Sequence, residues 1–225
     1  KGGISRVTWI IANKLKDDFD ISLLAYCKNK EERYFYPEKI RKNFLFEEKK
    51  SIHKRFFSTV KLVRKHLKKE EIDVIVCASA IYFPVCVLAT RFLHTKLICW
   101  EHSNACIKNE HKFQSICRWI GAKFSDCIVT LTKTDKDIYF RKYKVRNITQ
   151  IYNPIDDRLF GEVNYSDTSN KIISVGRLCY PKNFELLVEI AAKVLKKYPD
   201  WSWDIYGEGE YRNKKKKKIS RMDVE

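Results

Sequence analysis

The stretch VIVCASAIYFPVCVLATRFLHTKLICW, residues 74–100, decides the fold class of this chain. It opens with a β-branched apolar run at 74–77 and closes with a second apolar run at 96–100. Residues 74–90 carry no charge and approach the length of a membrane span, but Pro84 and the small polar Ser79 interrupt them. The pattern therefore predicts a buried strand, a helix over 82–92 and a second buried strand.

The same alternation of helix and strand continues on both sides of this stretch. The predicted elements of the first part are helices at 4–15, 51–69, 82–92, 110–124 and 133–143, and strands at 19–27, 74–77, 96–100, 127–131 and 148–152. Ser51 is the expected cap of its helix, and residues 28–50 read as a loop with room for a short strand. Repeated βα units with apolar strands predict an α/β fold with a parallel, doubly wound sheet.

A second unit is expected after Asn153-Pro154 and the polar, linker-like stretch 161–170. It contains a strand at 171–175, a helix at 183–198 and a strand at 202–206, which is one βαβ unit. We divide the chain into domains at 1–160 and 161–213 and a lysine-rich tail at 214–225. A single βαβ unit cannot close its own core, so we interpret the second unit as truncated. Our hypothesis for the tail is a frameshift in an adenine-rich tract, which puts residues from about Lys215 out of frame.

Composition bounds the function classes. Hydrophobic residues at 44% exclude a disordered protein. The net charge is +17, of which +10 lies in residues 1–70, so an anionic partner is expected at the first part. No zinc-finger, helix-turn-helix or RNA-binding signature occurs, so we predict no nucleic-acid partner. The eight cysteines form no CxxC pair, which favours buried reduced thiols, a cytoplasmic location and no metal site.

The basic segment Lys49–Lys69 has an apolar face and nine lysine and arginine residues. A basic amphipathic helix of this kind can lie on anionic lipid, which would place the protein at the inner face of the membrane. A domain helix with a solvated basic face accounts for the same pattern. Both interpretations stay open at this point.

Ligands of open parallel sheets bind beyond the carboxyl ends of the strands, and this rule selects two places in the first part. Gly2-Gly3 precedes a helix whose free N–H groups can bind phosphate, although a simple loop has the same pattern. The segment 100–104, WEHSN, follows a predicted strand. His102 can bond a substrate hydroxyl or phosphate and Glu101 can orient it, while a hydrogen-bonded loop is the alternative.

The second part offers two more strand ends. Gly176 and Arg177 follow one strand, and Lys182 opens the next helix, so the two cations form a plausible diphosphate clamp. Gly207, Glu208 and Gly209 follow the last strand, and together with Gly176 they are the candidate nucleotide-binding residues. The two glycines can let backbone approach a nucleotide, or they can form an ordinary turn.

Taken together and in this order, these motifs resemble the glycosyltransferases of family 4, which have the GT-B fold. The resemblance rests on the glycine pair, WEHSN, DCIVTLTKTDKDIY, QIYNPID, ISVGRL followed by PKNFELL, and DIYGEGE. It implies an N-terminal acceptor-side Rossmann-like domain and the start of a nucleotide-sugar-binding domain. The family's first strand and its paired-glutamate motif are missing, so the resemblance implies a chain truncated at both ends. Glu208 and Glu210 are not that motif.

The resemblance also implies site roles. His102 and Glu101 would serve catalysis, with His102 beside the transferred sugar, and Gly3 would lie at the donor–acceptor cleft. Arg177 and Lys182, with Gly2 and Gly3, would hold the donor diphosphate. The expected reaction is retaining, metal-independent and cofactor-free transfer from a nucleotide-diphosphate sugar to a glycan or lipid-linked acceptor. The alternatives are a truncated inactive remnant and a basic Rossmann-like module that binds anionic membrane or nucleic acid.

Overall fold

The computed structural model describes residues 3–28, 37–48, 50–105, 112–156, 161 and 168–209. The chain divides into two compact units, one ending at Phe160 and the other beginning at Gly161. Gly2, Lys49 and the tail 214–225, which carry sequence predictions, lie outside the described residues.

The first unit alternates helices and strands, as the sequence predicts. Its elements are α1 (Gly3–Leu15), β1 (Ser22–Cys27), β2 (Arg41–Phe46), α2 (Phe56–Lys69), β3 (Val74–Cys77), α3 (Phe83–Thr90), β4 (Lys96–Glu101), α4 (Lys112–Phe124), β5 (Cys127–Thr130), α5 (Lys133–Tyr143) and β6 (Ile148–Gln150). The strands form a parallel pair, β1-β2, and a parallel four-stranded sheet in the order β3-β4-β5-β6. The predicted α/β class with parallel sheets is confirmed.

Helices cover both faces of the four-stranded sheet. On one face Val7 of α1 packs with Trp100 and Val129. Alternate strand positions point the other way, where Leu97 and Ile128 join the core formed with α3 and α5. A sheet buried on both sides explains why β4 and β5 read as continuous apolar runs rather than as alternating ones.

Two local predictions need correction or completion. Ser51 makes no side-chain capping bond, because a 3₁₀ turn over Ile52–Arg55 lies between it and α2. The charged stretch 28–50 does contain a strand, β2, whose Arg41 starts a parallel register with Ser22. Alternating hydrophobicity is weak in RKNFLF, the sequence of β2, so its bounds were not predictable.

The second unit contains β7 (Lys171–Val175), α6 (Phe184–Lys197) and β8 (Ser202–Tyr206), and β7 pairs with β8 in parallel. This is the predicted βαβ unit. Phe184, Val188 and Ala191 of α6 are buried, and they recur at the three- and four-residue spacing of one helix face.

Among the described residues, no helix is both long and apolar enough to span a bilayer. The seven cysteines in these ranges are all free thiols.

Candidate functional site

The carboxyl edge of the four-stranded sheet carries the first group of predicted site residues. Neighbouring parallel strands all end at the same edge of their sheet. The helix that connects one strand to the next begins at that edge. β4 ends at Glu101, and the segment Glu101–Ala105, which we call the β4 loop, continues from it. Val7 of α1 packs against Trp100. Gly3 lies one helical turn before Val7, and a Cβ at Gly3 would meet no atom within 4 Å. Arg6 pairs with the buried Asp156 after β6, with 3.5 Å between Nη2 and Oδ2.

His102 is the residue of the β4 loop whose ring has a buried nitrogen without a described partner. Its ring lies 4.5 Å from the Trp100 ring, centroid to centroid. Its Nε2 atom is buried and has no hydrogen-bond partner among the described residues. Burial lowers the pKa of the imidazole, and the nearby Glu101 carboxylate opposes that effect. A half-buried and mostly neutral imidazole with one uncommitted nitrogen can accept or donate a hydrogen bond to a ligand oxygen.

Glu101 has a different set of partners from the one expected. Its Oε2 accepts from Arg118 Nε at 2.6 Å and from Tyr139 OH at 2.8 Å. Its Oε1 accepts from the backbone N and the Oγ of Ser103, both at 2.9 Å. None of these described bonds reaches the His102 ring. Glu101 and Arg118 are almost fully buried, so the carboxylate is a structural centre of the β4 loop, and its predicted catalytic role stays a prediction.

Two further bonds fasten the rest of the β4 loop. Arg118 Nη2 donates to the Asn104 carbonyl at 3.3 Å, and the Ala105 N–H donates to Asp135 Oδ1 at 2.9 Å. Asp135 is itself fixed at the start of α5, where its N–H donates to Thr132 Oγ1 and that hydroxyl donates to Asp135 Oδ2. Thr132 therefore caps α5 with its side chain.

Sequence reasoning missed Arg118, Tyr139 and Asp135 as members of this cluster. The spacing Thr132-x-x-Asp135 resembles a capping box and could have indicated the cap. Arg118 stands in an otherwise apolar turn of α4, between Cys117 and Trp119, which is the signal that a buried cation leaves in a sequence.

In the second unit, the predicted clamp residues lie on the connection between β7 and α6. Arg177 and Lys182 are both exposed. Lys182 ends a 3₁₀ turn that begins at Tyr180, and Asn183 follows in the left-handed conformation with φ of 44°. Asn183 makes no side-chain capping bond to α6. Both cations therefore stand on the short connection that leads into α6, and their predicted role as a diphosphate clamp stays a prediction.

The glycines of this unit have a structural explanation. A Cβ at Gly207 would overlap with the carbonyl oxygen of Gly176, and one at Gly209 would overlap with that of Leu178. The two backbone segments that continue from β7 and β8 stay paired beyond the strand ends, since the Leu178 N–H donates to the Glu208 carbonyl at 2.9 Å. Gly207 and Gly209 are needed for that close approach. Their predicted contact with a nucleotide, and that of the exposed Glu208, stays a prediction.

No group of three or more His, Cys, Asp or Glu side chains within the described ranges could hold a metal ion. The predictions of metal-independence and of no cofactor stay predictions.

Comparison with known proteins settles the family. A family model described as Glycosyltransferase Family 4 matches residues 1–159, which is more than half of the chain. The chain belongs to glycosyltransferase family 4. A second model, Glycosyl transferases group 1, matches residues 156–225.

Curated relatives agree with this family assignment. An uncharacterised glycosyltransferase of Haemophilus influenzae is 30% identical over all of this chain and 63% of its own length. A Campylobacter jejuni α-1,4-N-acetyl-D-galactosaminyltransferase, whose name gives a diNAcBac-PP-undecaprenol-linked glycan, is 24% identical over 99% of the chain and 63% of its own length. The chain thus spans just under two thirds of these relatives.

Solved structures show the fold. HepE of Anabaena, crystallised with UDP and glucose, superposes with a TM-score of 0.75 at 14% identity, covering 100% of this chain and 64% of HepE. The apo form of the lipopolysaccharide outer core galactosyltransferase WaaB gives 0.71 at 15% identity, covering 99% of this chain and 62% of WaaB. The predicted GT-B fold is confirmed.

Proposed function

We propose that this chain transfers a sugar from a nucleotide-diphosphate sugar to a glycan or lipid-linked acceptor in the synthesis of a cell-surface polysaccharide or glycolipid. The family supports the reaction class, and the C. jejuni relative's lipid-linked glycan supports the acceptor class. The HepE structure with UDP and glucose supports a uridine donor. The transfer is retaining and uses neither a metal ion nor a cofactor.

The observation that carries the proposal is the loop between β7 and α6. Arg177 and Lys182 are exposed there, at the start of a helix whose Asn183 gives it no side-chain cap. The donor diphosphate takes these cations as partners, so negative charge that builds on the leaving group is stabilised. His102 forms a hydrogen bond with the transferred sugar through its Nε2, which has no partner among the described residues.

Calorimetry with UDP, UDP-sugars and GDP-sugars tests the donor site. Arg177→Ala and Lys182→Ala should each weaken binding about 10- to 100-fold, because a hydrogen bond to a charged group contributes about 1.5–3 kcal/mol. The matched control is Lys171→Ala, which removes another exposed lysine from the other end of β7 and should bind as the unchanged chain does. A chain that binds none of these ligands contradicts the proposal and favours an inactive remnant.

A second proposal concerns the surface of α2, which we propose contacts an anionic bilayer. Phe57 is 80% exposed on this helix. Five lysines of the same segment are also exposed: Lys54, Lys61, Lys65, Lys68 and Lys69. An exposed aromatic ring among cations matches the chemistry of a headgroup interface, and a lipid-linked acceptor would be met there.

Co-sedimentation with vesicles tests this surface. Binding should be strong on phosphatidylserine-containing vesicles and weak on pure phosphatidylcholine, and Phe57→Ala should reduce it severalfold. Phe140→Ala is the matched control, since Phe140 is 58% exposed on α5. Equal binding to both vesicle types, or an equal loss in the control, excludes the proposed membrane contact.

A further inference from the structure

The β4 loop is anchored at every residue that follows His102. Ser103 bonds Glu101 through its backbone and its hydroxyl, the Asn104 carbonyl accepts from Arg118, and the Ala105 N–H donates to Asp135. His102 lies in the middle of this anchored segment, and its Nε2 is left without a partner among the described residues. The bonds therefore hold the backbone on both sides of one uncommitted imidazole.

The Glu101–Arg118 ion pair at the centre of these bonds has a high desolvation cost. The exposed fractions of Glu101 and Arg118 are 1% and 0%, so both charges lose their water. Apolar side chains of similar size often stabilise a protein as well as a buried ion pair does, or better. Stability alone is therefore a poor reason for charges here, whereas a fixed direction for four hydrogen bonds requires the carboxylate.

Tyr139 ties a second helix to the same carboxylate. Its hydroxyl donates to Glu101 Oε2 from α5, whereas Arg118 approaches from α4. Burial is the main cause that raises the pKa of Tyr139, and the Glu101 charge adds to it, so this hydroxyl keeps its proton and remains a donor. Two helices and one strand thus converge on one side chain next to His102.

We propose that Glu101, Arg118 and Tyr139 are positioning residues that set the orientation of the His102 imidazole for sugar transfer, an inference that rests on the proposed function. They act through the backbone of the β4 loop, and the Trp100 ring lies beside the imidazole, with 4.5 Å between the ring centroids. Preorientation of a group that meets the substrate lowers the cost of reaching the reactive geometry. Glu101 thereby has a role in the reaction without touching the substrate.

The test compares three single variants by NMR of the histidine-labelled full chain. Tyr139→Phe and Ser103→Ala each remove one hydroxyl that bonds Glu101. Tyr143→Phe is the matched control, because the Tyr143 hydroxyl is also buried in the same core but has no described partner. The His102 signals are assigned from their loss in His102→Gln.

We expect Tyr139→Phe and Ser103→Ala to shift the His102 ring resonances and to displace the pH midpoint of their titration, while Tyr143→Phe changes neither. A merely structural role would lower the stability of Tyr139→Phe and leave the His102 signals in place. Unchanged His102 signals in folded Tyr139→Phe and Ser103→Ala overturn the proposal. Should Tyr139→Phe not fold, Ser103→Ala decides, since Ser103 is only half-buried.

This measurement uses neither donor nor acceptor. If the chain failed to bind UDP in the calorimetry, the proposed function would be contradicted. The His102 resonances would still show whether the three residues orient the imidazole. Unmoved His102 signals in a chain that binds UDP would contradict only the positioning role.

Discussion

The β4 loop and the loop between β7 and α6 both follow a parallel strand, but they are organised in opposite ways. At the β4 loop the charged side chains are already paired within the protein, since Glu101 and Arg118 bond each other out of contact with water. In the second, the backbone is fitted closely through Gly176 and Gly207, and the cations Arg177 and Lys182 extend into solvent. One loop is preorganised in its side chains and the other in its backbone.

The proposed function would account for this difference by what each loop meets. A group that orients one atom of a sugar needs a fixed direction, which buried and directional bonds supply. A flexible diphosphate carries charge on several oxygens, so exposed cations above a rigid backbone can adjust to it. We therefore expect that removing a charge at the β4 loop lowers the free energy of unfolding, whereas removing a charge from the loop between β7 and α6 weakens ligand binding.

The largest expected effect comes from Arg118→Ala. Removing one partner of a buried ion pair leaves the Glu101 charge unpaired, which costs about 3–5 kcal/mol. Arg177→Ala, at an exposed site, should change the free energy of unfolding by less than about 0.5 kcal/mol. Urea denaturation followed by circular dichroism measures both, and similar losses for the two variants would remove the contrast between the loops.

Gly207→Ala should give the next largest effect. Its Cβ would overlap with the Gly176 carbonyl, so the pairing beyond β7 and β8 must open, at a cost of about 2–3 kcal/mol. Gly3→Ala is the control, because a Cβ at Gly3 meets nothing within 4 Å. Alanine favours a helix more than glycine does, so this change should be neutral or stabilising by up to about 1 kcal/mol. A stable Gly207→Ala protein would show that the backbone of the second loop is not closely fitted.

These two loops also show how far the sequence alone reaches. The strand ends and the helix that follows each loop are readable, because apolar runs and helical periodicity are local signals. The cluster around Glu101 is not readable, since Arg118 and Tyr139 lie 17 and 38 residues away on different helices. Similarly, Gly207 suggests close backbone approach, but only the fold identifies the Gly176 carbonyl as a group that is approached.

The separation of β1-β2 from the four-stranded sheet was not predictable either. Strand pairing depends on contacts between distant segments, whereas periodicity describes each segment by itself. The sequence therefore predicts one doubly wound sheet, and the structure has a pair of strands beside a sheet of four in this unit's described residues.

The smallest expected effect separates the two helix starts. Thr132 caps α5 beside the β4 loop by accepting from the Asp135 N–H, so Thr132→Ala should cost about 1 kcal/mol. Asn183 precedes α6 without a side-chain cap and with φ of 44°, a conformation that glycine adopts freely. Asn183→Gly should therefore leave the free energy of unfolding within about 0.5 kcal/mol of the unchanged chain. Thermal and urea denaturation of both variants measure this difference. A loss of about 1 kcal/mol in Asn183→Gly would mean that the Asn183 side chain does stabilise α6, and the contrast between the two helix starts would be lost.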